Sequence, residues 1–215
     1  MRQPSRLISG LFALGLLATT PALAETREAL IIPPPLAILD ADQAAVVARR
    51  AETGSARDQT ELGDIYHYGN GLPKDYAKAR LWYGKAADQG YLAAMENLAN
   101  MNYLGEGGAP DDVTAVSWLQ KAADYGDGEA QAALGQMYED GTGVRRDLVQ
   151  AYKWTLLAAK TNMATYNGNY LARREDEISA KMTPAQIAKA RKQAEAWHAE
   201  PRSAVQQAED KRYPH

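Results

Sequence analysis

The chain has 215 residues, with 24 basic and 27 acidic side chains, a formal net charge of −3 at pH 7, and no cysteine. The lack of cysteine excludes disulfides, thiolate metal sites and a lipid-modified cysteine. The mildly acidic balance disfavours nucleic acid or anionic lipid as the main partner. Three histidines, His67, His198 and His215, are scattered along the sequence, which disfavours a histidine metal site.

Residues 1–24 have the pattern of a cleavable signal peptide. Arg2 and Arg6 form a basic start, residues 7–18 are apolar, and residues 22–24 read Ala-Leu-Ala, a small-x-small cleavage site. The apolar run is shorter than the roughly 20 residues that span a bilayer, which disfavours the alternative of an uncleaved anchor. We therefore expect cleavage after Ala24, a periplasmic or secreted location, and no stable membrane insertion afterwards.

A Pro-rich segment, residues 25–39, leads into the first predicted helix. Its three consecutive prolines, residues 33–35, favour an extended conformation. The segment either is a stiff spacer, which we favour, or lies on the first helices. Asp40 is expected to cap a short helix over 41–51 that ends near Gly54. This helix would shield the apolar face of the first repeat.

A pattern of 36 residues occurs three times without gaps, at about 55–90, 91–126 and 127–162. A fixed period of this length predicts stacked helical repeats. The columns that stay in register are Leu62, Leu98 and Leu134; Gly69, Gly105 and Gly141; Gly71, Gly107 and Gly143; Asp75, Asp111 and Asp147; and Trp82, Trp118 and Trp154.

Each repeat is predicted to form two helices. In the third copy, Leu134 and Tyr138 share one face of helix A, and Gly141 ends that helix because glycine accepts a positive φ. Asp147 is expected to cap helix B, on which Trp154 lies in an apolar stripe. The column tryptophans are expected to be buried anchors of the hairpins.

Cap helices are predicted over residues 163–199, the first of them over 163–180. Residues 183–186, Thr-Pro-Ala-Gln, form a start signal for the last helix, because they combine a capping threonine, a proline at the first helical position and a glutamine three after the cap. Residues 201–215 are polar and are expected to form a flexible tail. The predicted fold class is all-α, an α-solenoid of TPR-like repeats over 40–200. The residues expected to face the stack from the last helix are Ile187, Ala190, Ala194 and Trp197.

These columns resemble the Sel-one-like repeat (SLR), a longer relative of the tetratricopeptide repeat. The resemblance covers about 58–162, and the second copy departs from the pattern at Ala99, Asn102 and Gly108. It implies a right-handed α-solenoid with a concave surface that acts as a protein-binding adaptor. Exported bacterial members are tied to envelope assembly, exopolysaccharide control, host contact and immunity against toxins. The resemblance names no partner.

The chain lacks the usual motifs of catalysis. The repeated G-x-G turns have no preceding strand and no following lysine, so they read as helix ends rather than phosphate loops. No G-x-S-x-G, H-E-x-x-H or S-x-x-K is present. We therefore expect a non-enzymatic protein with no catalytic residue, cofactor or metal site, and no small-molecule ligand.

The binding face is predicted on helix A, at the positions two before, two after and five after each column leucine. Such a polar, slightly acidic strip suits a protein or peptide that offers Lys, Arg or amide groups. The alternative is that these are ordinary solvated positions. The strip consists of Thr60, Asp64 and His67; Glu96, Asn100 and Tyr103; and Ala132, Gln136 and Glu139.

Two other classes of function stay open. A glycan- or peptidoglycan-binding module would use Tyr68, Tyr103 and Tyr125 as stacking platforms along one groove. An envelope hydrolase would need a pocket with a convergent carboxylate pair, one of them with a raised pKa. The acidic run 175–177 beside two arginines reads more simply as a solvated helix face.

Overall fold

The computed structural model describes residues 39–161 and 168–212. Within these ranges the chain forms ten α-helices and no strand. The predicted signal peptide and nearly all of the Pro-rich segment lie outside them. The helices are α1 (Ala41–Glu52), α2 (Ala56–Tyr68), α3 (Tyr76–Ala87), α4 (Leu92–Leu104), α5 (Asp112–Asp124), α6 (Gly128–Asp140), α7 (Leu148–Thr161), α8 (Gly168–Ser179), α9 (Pro184–Ala196) and α10 (Ala204–Arg212).

The helices stack in chain order. Each helix from α1 to α7 packs against the next one, and both α8 and α9 pack against α7. The pairs α2–α3, α4–α5 and α6–α7 are the three repeats, so the predicted α-solenoid is confirmed. No helix of the described ranges is both long and apolar enough to span a bilayer.

Helix α1 closes the start of the stack as expected. The Asp40 side chain accepts a hydrogen bond from the Gln43 backbone N–H at 2.8 Å, and Gln43 Oε1 accepts one from the Asp40 N–H at 2.9 Å. This reciprocal pair starts the helix by satisfying two backbone donors. Val47 is buried in a cluster with Leu62 and Ile65 of the first repeat.

A glycine column permits close contact between successive repeats. Gly71, Gly107 and Gly143 all have positive φ, between 67° and 84°. A Cβ atom at Gly107 would lie 2.9 Å from the Cβ of Tyr76, at the start of the preceding helix B. Glycine is required here both for the backbone conformation and for the space.

Asn102, which departs from the repeat pattern, forms a hydrogen bond with an arginine of the preceding repeat. Asn102 Oδ1 accepts from Arg80 Nη1 at 2.9 Å, and the same guanidinium donates to the carbonyls of Met101 and Glu106. Arg80 thereby ties helix α3 to the end of α4 and to the turn that follows it.

The expectation for the tryptophan column is wrong in two of the three repeats. Trp154 is 2% exposed, but Trp82 and Trp118 are only partly buried. The rings of these two tryptophans are covered by Lys85 at 3.8 Å and Lys121 at 4.1 Å. Trp154 is likewise covered by Lys153 at 3.8 Å, and Trp197 in addition packs against it edge-on at 6.1 Å.

The last helices follow the prediction only in part. The start signal of α9 is confirmed, with Thr183 as N-cap and Gln186 completing the capping box. Helix α8 lies within the expected cap region, whereas residues 162–167 are outside the described ranges. The tail differs from the prediction, since residues 204–212 form α10 and Gln206 is 7% exposed. Its side chain bonds to α4, which a frayed tail would not do.

Candidate functional site

The strip predicted on helix A is only partly accessible. Thr60, Asn100 and Glu139 are between 5% and 8% exposed, so their prediction as surface residues is wrong. The Thr60 hydroxyl donates to the Ala56 carbonyl of its own helix at 2.8 Å.

In the third repeat the strip is covered by the cap. Glu139 forms ion pairs with Arg174 of α8 and with Lys181, whose Nζ lies 2.7 Å from Glu139 Oε1. Gln136 Oε1 accepts from Arg174 Nη2 at 2.6 Å. The cap therefore uses Gln136 and Glu139 for internal contacts, and Ala132 is half-buried.

Two strip residues of the second repeat are also engaged. Burial raises the pKa of the Glu96 carboxyl well above its usual range, and the neighbouring Asp127 carboxyl raises it further. Tyr103 is half-buried against the main apolar cluster. Neither residue offers a charged, open group to a partner.

Asp64 and His67 of the first repeat form a polar cluster with residues that the strip did not include. His67 Nε2 lies 2.6 Å from Glu106 Oε2. The Tyr76 hydroxyl donates a hydrogen bond to the other carboxylate oxygen, Glu106 Oε1, at 3.2 Å. The cluster thus joins α2 to α3 and to the turn after α4. We call Asp64, His67, Tyr83, Asn97 and Glu106 the polar cluster.

Asp64 anchors the buried side of the polar cluster. Its Oδ1 accepts from the Tyr83 hydroxyl at 2.7 Å and from Asn97 Nδ2 at 3.1 Å. Burial raises the pKa of Asp64 to about 6, although these donors and His67 act in the opposite direction. The carboxylate is therefore short of solvation, and a cation nearby would stabilise it.

A small cavity of about 30 Å³ opens beside the cluster. This volume holds one water-sized group. The Nδ1 atom of His67 is buried without a hydrogen-bond partner, which is costly unless a ligand or water supplies one. The residues that line the cavity are His67, Tyr68, Tyr83, Asn97, Asn100, Leu104 and Glu106.

Sequence reasoning found Asp64 and His67 but missed their partners. Glu106 lies in the turn after helix A, and Tyr83 belongs to helix B, so neither fell on the helix A strip. The available signal was the column itself: Tyr83 stands where the other repeats have Leu119 and Thr155. A phenol at a core position needs a hydrogen-bond acceptor nearby, and Asp64 is that acceptor.

The cluster has the chemistry of a binding site. It contains two carboxylates and an imidazole but no serine, threonine or cysteine nucleophile. In the described part of the chain, no group of three or more histidine or acidic residues is placed to hold a metal ion. Space for one water-sized group suits the tip of a side chain rather than a sugar ring or a peptide bond.

The stacked hairpins define an all-α helical-repeat protein. A family model described as Sel1 repeat matches residues 56–91, 92–127 and 128–162. The chain belongs to the Sel1 repeat family, so the resemblance seen in the sequence is confirmed. Proteins of this family are generally non-catalytic scaffolds that mediate protein–protein interaction.

Two solved structures are similar to this chain over most of its length. One is a Sel1 repeat protein from Oxalobacter formigenes, 31% identical, with a TM-score of 0.54; the match covers 62% of this chain and 96% of that one. The other is c5321, described as a protective antigen of uropathogenic Escherichia coli with an SLR fold, 30% identical, with a TM-score of 0.65. That match covers 80% of this chain but spans only 36% of c5321. The comparison with curated proteins gave no match.

Proposed function

We propose that this chain is an exported, non-enzymatic scaffold that binds a protein partner in the bacterial cell envelope. The polar cluster carries the proposal, because it places the unsatisfied imidazole nitrogen of His67 and the Glu106 carboxylate beside a cavity. The Asp64 carboxylate bonds to Tyr83 and Asn97, which also line that cavity. Helix α8 covers the corresponding strip in the third repeat. The partner therefore contacts the first two repeats.

The cluster favours a lysine side chain as the group that it receives. An ammonium is about the size of a water molecule and fits the 30 Å³ cavity, whereas a guanidinium is larger and planar. Asp64 and Glu106 supply negative charge, and His67 Nδ1 can accept an N–H in its neutral form. A lysine on an exposed loop of the partner meets all three requirements.

Export is supported by the signal-peptide pattern of residues 1–24, and it has a direct test. The protein is recovered from the periplasmic fraction of cells that express the full chain, and its N-terminal sequence is determined. We expect the mature chain to begin at Glu25. Uncleaved protein in the cytoplasm would contradict the proposed location.

The binding role is tested by crosslinking in cells. Tyr68 lines the cavity and is 41% exposed, so the photoreactive residue is placed at position 68. We expect one dominant protein adduct in the envelope fraction. The adduct should disappear in the Asp64→Asn, Glu106→Gln double variant.

The control is Asp176→Asn, which removes an exposed carboxylate from α8 and should leave the adduct unchanged. All variants are first compared by circular dichroism and melting. An adduct that survives the double variant would show that the partner binds elsewhere. Adducts to glycan alone would instead favour the saccharide-binding alternative.

The structure gives the saccharide alternative less support than the scaffold. Tyr68 lines the cavity of the polar cluster, whereas Tyr125 lines a different cavity near Trp118. Tyr103 packs on the apolar core. The three tyrosines therefore do not form the single aromatic groove that this alternative requires.

A further inference from the structure

The chain after α9 crosses back over the junctions between repeats. Residues 197–203 form no helix, and α10 begins at Ala204. We call residues 197–206 the strap. Its path runs from the third repeat towards the second and first, opposite to the order of the repeats along the chain.

The strap contacts each junction through a small residue. A Cβ atom at Gly126 would lie 3.2 Å from the Cβ of Ala199, and one at Gly90 would lie 2.7 Å from the Cβ of Ser203. Gly90 and Gly126 are equivalent positions of successive repeats, 36 residues apart. We call the surface formed by these two junctions and the start of α4 the junction edge.

Hydrogen bonds fix the strap in this position. The Glu200 N–H donates to the Asp124 carbonyl at 2.7 Å. The Ser203 hydroxyl donates to the Gly90 carbonyl at 3.4 Å. One bond to each junction gives the strap a defined register on the junction edge.

Gln206 replaces a cap that the second repeat lacks. The side chains of Ser55 and Asp127 cap α2 and α6, but the equivalent residue of α4 is Tyr91, which makes no side-chain cap. Gln206 Oε1 instead accepts from the Leu92 N–H at 3.0 Å. The strap thus satisfies a backbone donor at the start of α4.

The Gln206 side chain makes this bond instead of completing the capping box of its own helix. Residues 203–206 read Ser-Ala-Val-Gln, a capping-box pattern, and Ser203 Oγ accepts from the Gln206 N–H at 3.1 Å. In α1 and α9 the glutamine of the same pattern bonds back to its own N-cap, as Gln43 and Gln186 do. In α10 the Gln206 side chain instead accepts a hydrogen bond from the start of α4.

The strap fills the junction edge incompletely. A cavity of about 510 Å³ remains between them, with Met95, Trp118 and Tyr125 among its lining residues. Glu200 also lines this cavity, close to Asp124. Burial raises the pKa of Asp124 and the Glu200 carboxylate adds to this, while a hydrogen bond from Gln120 and the charge of Lys153 act in the opposite direction. The strap therefore leaves Met95, Trp118 and Tyr125 at the wall of a cavity that polar residues such as Lys121 also line, and it places the Glu200 carboxylate near that of Asp124.

We propose that the junction edge is a docking surface for an extended peptide and that the strap occupies it until a partner displaces it. The partner carries small residues where Ala199 and Ser203 lie. Between them it carries a large apolar side chain for the cavity beside Trp118, in place of Glu200. Three residues after the second small residue, it offers a side-chain oxygen to the Leu92 N–H. This surface is separate from the polar cluster and does not depend on it.

The test uses a labelled peptide of residues 195–212 and the full chain. Ser203→Trp displaces the strap, because Gly90 leaves no space for an indole; Lys192→Trp, at an exposed position of α9, is the matched control. A docked strap lowers the apparent affinity of a competitor in proportion to the open fraction. We expect the peptide to bind the Ser203→Trp chain about tenfold tighter than the unmodified chain or the control, for a strap docked about nine-tenths of the time.

Changes in the peptide test the stated chemistry. Glu200→Leu should strengthen binding to the Ser203→Trp chain, and Gln206→Ala should weaken it. Equal affinity for all three chains, or binding to none, would overturn the proposal. So would a Glu200→Leu peptide that binds no better than the native one.

Hydrogen exchange provides a second test that does not need the Ser203→Trp variant. In a full chain with Gln206→Ala, the Leu92 amide should lose protection while the amides inside α6 keep theirs. A saturating amount of the native peptide should restore protection at Leu92. Failure to restore it would show that the junction edge does not accept a peptide in trans.

Discussion

Tyr83 lies so close to Gly63 that a side chain at position 63 would collide with its ring. A Cβ atom there would lie within 3.1 Å of three ring carbons. The phenol is 1% exposed and its hydroxyl bonds to Asp64, one residue after the glycine. One close approach of α3 to α2 thus holds the carboxylate of the polar cluster in place.

Gly63→Ala is therefore expected to destabilise the protein, by about 1–3 kcal/mol, because the Tyr83 ring is packed in the core and has little room to shift. Gly84→Ala is the control, since a Cβ atom at Gly84 meets nothing within 4 Å. It should stabilise α3 by about 0.5–1 kcal/mol. Urea unfolding of both variants measures the difference. Equal effects would mean that α2 and α3 are further apart than described.

The raised pKa of Asp64 predicts a pH dependence of stability. Because the folded pKa is about 6 against an ordinary value of 3.8, ionisation costs stability as the pH rises from about 4 to above 6. The shift corresponds to roughly 3 kcal/mol. Asp64→Asn, which can keep the acceptor for Tyr83, should gain stability relative to the unmodified protein over this range. Unfolding measured at pH 4 and pH 7 checks it, and a constant difference would contradict it.

The tryptophan column predicts unequal costs of truncation. Trp154→Ala should cost about 3–5 kcal/mol, because it empties a buried site. Trp118→Ala should cost less, since part of its ring faces a cavity and Lys121. The free energy of unfolding of each variant decides this. A loss at position 118 as large as that at 154 would place Trp118 in the core after all.

The two ion pairs of Glu139 predict that removing Arg174 and removing Lys181 will cost different amounts of stability. Arg174 is 16% exposed and Lys181 is 50% exposed in their side chains, while Glu139 is 6% exposed. Arg174→Leu should destabilise more, by about 3 kcal/mol, because it leaves a buried carboxylate with one half-exposed partner. Lys181→Leu should cost about 1 kcal/mol or less. Thermal and urea unfolding compare the two, and the opposite order would contradict the assigned geometry.

The elements that sequence reasoning predicted well depend on local chemistry. The capping residues Asp40 and Thr183 and the helix-ending Gly141 act on the backbone within a few residues of themselves. The repeat period adds the packing order, because identical hairpins stack in one way. Family membership follows from the same columns.

The parts that were predicted wrongly depend on contacts between distant residues. Nothing near Glu139 shows that Arg174 will pair with it, and nothing near Leu92 shows that Gln206 will cap it from 114 positions away. The pattern Ser203-x-x-Gln206 was a usable signal for α10, but it did not reveal where the glutamine side chain bonds.

The sequence by itself determined the repeats, the helix ends and the stacked architecture, because these arise from periodic apolar faces and from backbone groups that nearby residues satisfy. Only the tertiary structure decided which polar side chains remain open. Burial and pairing depend on what neighbouring repeats and caps place opposite each residue. For that reason His67 and Glu106 line a cavity with the Asp64 carboxylate close by, whereas Thr60 and Glu139, also on the predicted strip, became part of the interior.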